Sequence, residues 1–555
     1  MTQWDSRLPD WVGHDPDIHR GFLDRGTCVN WTTLLLQNGT ILLDRDAWLF
    51  AKDPATGQSL HDPDDMTLTV PGCERLCGGR SFYIDAGPRF MTWILPIVLL
   101  LSNIELSPID KRRFTTIVQV LGDPVEAIWS MLHKLQTWKA LDEIARQYCA
   151  DHRIPDSARV VATVLAGFED VLGPSIPDRD WITTSLLHQI GPAVSPEQMK
   201  RWQRAAFELS DGRTDEFLRT ILAISLYVLQ VMSAFIPDVG GEPSTPPGGV
   251  IGSALFLGFL VPAAFLSNVL GSFASQRSGL SALSRLVRTA VPPPSRDDRV
   301  LIERASWAQY FSHLQFSGGN NTYRPWKSSD WVQARRRWTL LTAAWAASPV
   351  LASFAGAFPI MFFAVPNGFS CRHVWLVLVF GLWMLGALFS SALYPFLRHN
   401  RRLHWQITLT KDVLIGVGGL MVVTLSAMGG FNSCSCWGRE LVLGRAAAAV
   451  PITATGRYQM YDRSVYPTVV GSVIGFQLLF CFLTIVWYWK GVTLMRWSEG
   501  RRQRLWEALE SDVWEHRAQV LPPGRQRAAQ RAAPRGSPRY YMLFWYYHVR
   551  KFENA

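Results

Sequence analysis

The sequence predicts an all-α fold: a polytopic transmembrane helix bundle of about seven spans, N-terminus outside and C-terminus inside. An extracytoplasmic N-terminal region and cytoplasmic helices complete the expected architecture. Three observations predict it. Charged residues are only 18% of 555, against roughly 25% in soluble chains, and they are segregated from long uncharged apolar blocks. The connections between those blocks alternate between basic and non-basic. Most cysteines fall on one side of the topology that results. The 12% aromatics and 24 Trp exclude general disorder, and 8 Cys are too few for a disulfide scaffold.

Residues 1–89 form the expected outer N-terminal region, with 8 basic and 13 acidic residues. It holds N-glycosylation sequons at Asn30 and Asn38; a third, at Asn320, falls on an expected inner loop and should stay unmodified. Met1–Arg25 is polar and acidic, so no cleavable signal peptide is expected. Span 1, residues 90–104, is short of the about 20 apolar residues that cross about 30 Å of hydrocarbon. It can extend toward Ala86 and Ile109.

Residues 105–219 read as a cytoplasmic helical region. Phe114–Leu132 has Asp123, Pro124 and Glu126 at its centre, and unpaired charge at mid-bilayer is expensive. It reads as an amphipathic or re-entrant cytoplasmic element, with a buried span carrying a functional acidic pair as the alternative. Asp123 suits an N-cap and Pro124 the first helical position; sharing a proton or cation with Glu126 is the second reading of that pair. Residues 132–149 and 158–172 have helix-period apolar positions with charge opposite, the second capped by Asp156 or Ser157 and stopped at Gly173-Pro.

Residues 220–489 form a six-span bundle: Thr220–Ile236, Val250–Phe273, Leu340–Val365, Val374–Leu397, Val413–Phe431 and Pro467–Trp489. None contains Asp, Glu, Lys, Arg or His. The basic inner loop 274–339 has 11 basic and 4 acidic residues, and 398–412 has Arg398, Arg401, Arg402 and Lys411 against Asp412. The basic cytoplasmic tail 490–555 has 13 against 6. Between these, 237–249 has no basic residue, 366–373 has Arg372 alone, and 432–466 has four Arg and two acids. Lys and Arg are retained on the cytoplasmic side, which sets the C-terminus inside. Charge flanking span 1 is even, so eight spans with an inward N-terminus is the runner-up.

Cys28, Cys73, Cys77, Cys371, Cys434 and Cys436 then face the oxidising side as candidate disulfide cysteines, an even number. Their connectivity stays open, although Cys434 and Cys436 are too close in sequence to pair with each other. Cys149 and Cys481 are expected thiols. Small residues at Gly471/Gly475, Gly386/Ser390 and Ala352/Gly356 point to close packing within the bundle rather than dimerisation.

Three stretches, GCERLCGG (72–79), RFMTWILPIVLLLSNIEL (89–106) and LGDPVEAIWSML (121–132), together resemble the N-terminal signature of a family of uncharacterised multi-pass membrane proteins of filamentous fungi. The resemblance covers about 60 residues closely. It implies a fungal source and an integral membrane protein, and no catalytic or ligand role.

Nothing in the sequence carries defensible chemistry. There is no GxxxxGK[ST], HExxH, GxSxG or GxGxxG, and no catalytic residue, cofactor or metal is assigned. Cys73-x3-Cys77 lacks a second ligand pair, and His399 and His404 sit among arginines as an inner anchor. The net charge of +10 resolves into −5 over 1–89, −4 over 105–218, +7 over 274–339 and +7 over 490–555. It records sidedness and implies no nucleic acid. Lipid is the expected partner, with anionic lipid at the basic tail; protein partners are not specified. The expected role is non-enzymatic sensing or scaffolding in a plasma or secretory-pathway membrane. The alternative is a transporter or channel for a neutral or lipid-like solute, and an enzyme using Asp123 and Glu126 ranks last.

Overall fold

A computed structural model describes residues 67–77, 94–104, 113–172, 195–213, 217–233, 248–271, 336–363, 369–397, 401–427, 433–444, 448–451 and 465–496, with a few positions between. Most of these are helical. Among the described residues, five stretches are long and apolar enough to cross a membrane: Ile251–Leu270, Leu340–Phe363, Cys371–Leu393, Gln406–Ser426 and Tyr466–Trp487. The chain therefore has the makeup of an integral membrane protein.

The helices in chain order are α1 (Val70–Cys77), α2 (Leu95–Ser102), α3 (Arg113–Gly122), α4 (Pro124–Asp151), α5 (Ala158–Leu172), α6 (Pro196–Asp211) and α7 (Phe217–Ser233). They continue with α8 (Gly248–Phe256), α9 (Leu260–Leu270), α10 (Arg336–Phe363), α11 (Cys371–Leu397), α12 (Arg401–Ala427), α13 (Cys434–Trp437), α14 (Glu440–Leu443), α15 (Tyr466–Trp487) and α16 (Trp489–Leu494). Two short strands, β1 (Thr67–Thr69) and β2 (Ala449–Pro451), pair antiparallel with Leu68 opposite Val450.

The segment α8–α9 is the spine, buried along nearly its whole length, whereas α10, α11, α12 and α15 each leave an apolar face exposed. The expected span 250–273 is interrupted at Leu257–Phe259. Pro262 has no N–H for the carbonyl of Gly258, which accepts from Val261 at 3.1 Å instead. Aromatic rings fill the gaps around the spine: Phe256 stacks on Trp383 and Phe259 meets its edge. Buried donors here have acceptors: Gln477 Nε2 donates to the Pro349 carbonyl and Ser353 Oγ, and on α7 Tyr227 donates to the Ala254 carbonyl. The apolar helices α2 and α7, 8 and 17 residues long, pack on each other and on α9.

At one end of the bundle the expected helices 132–149 and 158–172 appear as α4 and α5, with a 3-10 turn at Pro155–Ser157 leading into the second. They pack with α6, which opens on a capping box between Ser195 and Gln198. Trp138 is buried between two cations, with Lys134 Nζ 5.0 Å and the Arg213 guanidinium 4.8 Å from its ring, and both cations pair with Asp170. Three arginines bind carbonyls at helix ends: Arg213 that of Leu270, Arg159 those of Thr493 and Arg496, and Arg496 that of Asn268. The last carbonyls of a helix lack internal partners and its C-terminus favours cations. The first residues of the tail are docked as α16, where Gly491 backs onto the Leu135 carbonyl so closely that a Cβ would lie 2.6 Å from it.

At the other end β1, α1, α13 and β2 gather. The sulfurs of Cys73 and Cys434 are at disulfide distance, with Cα atoms 5.8 Å apart, as are those of Cys371 and Cys436, with Cα atoms 5.4 Å apart. Cys149 and Cys481 are buried thiols. Cys77 ends α1, its side chain outside the described residues. Cys28, the sequons at Asn30, Asn38 and Asn320, and nearly all of the basic tail also lie outside them.

Two expectations change. Residues 398–412 are not a connection: α12 begins at Arg401, so Lys411 and Asp412 lie ten and eleven residues inside a helix, within the candidate span Gln406–Ser426. The spans are therefore not all free of charge. For Phe114–Leu132 the amphipathic surface reading gives way, while the re-entrant and buried-span readings both remain open. From Val120 to Ile128 the element is buried within the helix bundle, because three glycines allow a close fit there.

Candidate functional site: a buried ion pair between three helices

The site begins at Gly122-Asp123-Pro124. Asp123 leaves helical geometry (φ −144°, ψ 73°) and caps α4, its Oδ1 accepting from the Glu126 N–H at 3.0 Å, with Pro124 in the first turn. The N-cap reading of Asp123 thus describes one of its two oxygens. The other, Oδ2, accepts from Lys411 Nζ of α12 at 2.6 Å. Lys411 also donates to the Gly386 carbonyl at 3.1 Å and Ser390 Oγ at 3.0 Å, both on α11, and lies 3.1 Å from Asp412 Oδ1. Asp123 and Asp412 are 2% and 1% exposed.

Glycine makes the meeting possible. A Cβ on Gly386 would sit 3.0 Å from Asp123 Oδ2 and 3.2 Å from Lys411 Nζ. One on Gly122 would collide with the Asp412 backbone, and one on Gly416 would come within 3.0 Å of the Val118 carbonyl. The Leu121 carbonyl, at the end of α3, accepts from Trp383 Nε1 at 2.8 Å. His404, Thr408 and Lys411 share one face of α12 at i, i+4 and i+7; His404 Nε2 lies 3.4 Å from the Ser390 carbonyl.

A buried pair is sustained only when its remaining hydrogen bonds are satisfied, and the three protons of Lys411 have three acceptors besides Asp412. The arrangement thus fixes three helices to one another. Glu126, one turn beyond Asp123, is buried as well. Among the described residues no group of three or more His, Cys, Asp or Glu could hold a metal. His399 lies outside the described residues.

Sequence reasoning singled out Asp123 and missed its partner. Lys411 sits beside the arginines of 398–402 and was absorbed into their anchoring role. The available signal was the uncharged run Trp405–Thr410, too long for a tight connection and continuous with the helix beyond. The cluster of Lys134, Asp170, Arg213 and Trp138 was missed because its members come from three separate segments.

No family model matches the chain. No curated protein and no solved structure match it either. The function must therefore be argued from the site's own geometry.

Proposed function

We propose that this chain is a seven-pass membrane protein, N-terminus outside and C-terminus inside, that senses or scaffolds rather than catalyses. Support for seven passes comes from what meets at each end. Cys73, Cys371, Cys434 and Cys436 gather at one end, while Asn103, Asn268, Arg213 and Arg496 meet at the other. On that reading α2 and α8–α9 descend, α7 returns between them, and α10, α11, α12 and α15 supply four more crossings. A plasma or secretory-pathway membrane and glycans at Asn30 and Asn38 go with the same orientation. Endoglycosidase treatment should shift the wild-type chain and leave Asn30→Gln/Asn38→Gln unshifted; an unglycosylated wild type would count against the outward N-terminus.

The observation that carries the sensing role is that α11 serves both ends. Its first residue, Cys371, is held to α13, and its Gly386 and Ser390 hold Lys411 against the α3–α4 break. A change at the outer clasp is transmitted along a packed helix to the helices that continue into the inner region. Hydrogen exchange over residues 118–130 tests this: Cys436→Ser should lower protection there, and unchanged exchange would sink the coupling.

The second reading is a transporter, and it moves from the neutral or lipid-like solute expected of uncharged spans to an ion-coupled one, because paired charge within a span favours that. Purified protein in vesicles should give no proton or ion flux above empty vesicles; flux abolished by Lys411→Met would install the transporter in its place.

A further inference from the structure

Among the described residues, exposed large apolar side chains lie on α2, α7, α10, α11, α12 and α15 and at Trp489, with one exception. Leu441, Val442 and Leu443 of α14 are 67%, 45% and 47% exposed. The helices α4, α5 and α6 have none. Exposed apolar bulk therefore separates the parts of the chain that face hydrocarbon from those that face water, and α14 falls with the former.

Its place in the fold fits that division. Cys436 joins α13 to Cys371, the first residue of the candidate span in α11, and Leu441 follows only five residues later. The end of a span marks the edge of the hydrocarbon layer, so α14 is held at that edge. Its backbone is also prepared for such a site. Arg439 turns the chain in the left-handed conformation (φ 60°), and its carbonyl accepts from the N–H groups of Val442 and Leu443, each at 2.9 Å. Gly444 (φ 76°) closes the turn, donating to the Glu440 carbonyl at 2.9 Å. Backbone polar groups near hydrocarbon favour internal partners, and this turn pairs the N–H groups of Val442, Leu443 and Gly444 that way while presenting three apolar side chains in succession.

We infer that α14 is an interfacial foot, with Leu441, Val442 and Leu443 seated among lipid acyl chains in the leaflet at the disulfide-bearing end. It holds the Cys434–Cys436 segment against the bilayer. The inference rests on the membrane reading above and adds to it a contact made by a connection rather than a span.

The test is collision accessibility of a nitroxide on the full-length protein in phosphatidylcholine vesicles. Spin labels are placed at Leu441→Cys, at Leu478→Cys on the exposed face of α15, and at Lys200→Cys on α6, with the wild-type chain labelled in parallel as the blank. The expected result is that Leu441→Cys behaves as Leu478→Cys does, several-fold more accessible to oxygen than to a water-soluble nickel chelate, while Lys200→Cys shows the reverse. A Leu441→Cys label open to the chelate overturns the foot, since the turn then faces water. Low collision with both reagents, with dipolar broadening between copies, overturns it in favour of a self-contact. Low collision without broadening overturns it in favour of another part of the chain. Should Leu478→Cys itself be open to the chelate, the membrane reading fails, and that outcome is distinct from failure of the foot alone.

Discussion

Lys411 and Asp123 show what a single residue decides in this molecule. Removing one partner leaves the other charged and buried, which costs about 3–5 kcal/mol. Lys411→Met should therefore lower the melting temperature strongly, and Asp123→Asn nearly as much because its amide retains a cap for Glu126. The double variant should lose less than the sum of the two single losses, though it still leaves the buried Asp412 without Lys411, 3.1 Å away; thermal melts of the purified protein check this, and additive losses would show that Lys411 and Asp123 do not interact. His133 supplies a second residue-scale prediction. Burial on α4, outside the candidate spans, lowers its pKa from 6.5 to about 4. The unfolded chain then takes the proton first, so stability is complete above pH about 6.5 and drains as pH falls toward about 4, by up to about 3 kcal/mol. His133→Gln should flatten that acid limb in a stability–pH profile. By the same physical cause the Cys149 thiol is pushed up to about 11, which makes it a poor nucleophile.

Elements differ in how closely they are held, and the glycines report it. Gly356 faces Val473 and Leu255 so tightly that a Cβ would fall 2.4 Å from the first, and Gly386 is filled by the ion pair. Gly471 and Gly475, on α15, have nothing within 4 Å of an added Cβ. Of the three small-residue pairs in the sequence, two thus serve packing within the chain and the third does not. Gly356→Ala and Gly386→Ala should destabilise. Gly471→Ala and Gly475→Ala should be neutral or stabilising by up to about 1 kcal/mol each, the helical cost of glycine relative to alanine. Melting curves of the four variants discriminate, and equal destabilisation by all four would contradict the packing. The element that sequence reading handled least well was α3–α4. Its pattern gave Asp123 as a cap and left open which surface was covered, because periodicity identifies a helix face without identifying its partner.

For the whole molecule, the disulfide clasp matters through chain length. The pairs Cys73–Cys434 and Cys371–Cys436 close segments separated by 361 and 65 residues. Cross-links of that span typically contribute about 2–4 kcal/mol each by restricting the unfolded chain. Non-reducing peptide mapping should recover these two links, and Cys73→Ser/Cys434→Ser should lower thermal stability while leaving the helix content intact. Recovery of Cys73 linked to Cys436 instead would contradict the geometry.

The sequence by itself determined that the chain is helical and has several segments apolar enough to cross a membrane, because hydrocarbon thickness acts on contiguous segments that can be read one at a time. It located four of the spans to within a few residues, set the start of a fifth seven residues late, and marked six cysteines as one set. Only the tertiary structure decided which cysteines meet, where α12 begins, and that Lys411 closes on Asp123. Those facts depend on pairs 65 to 361 residues apart. Pairing at such separations is set by how the helices pack, and the absence of a side chain at Gly122, Gly386 and Gly416 permits that packing without advertising it in any local pattern.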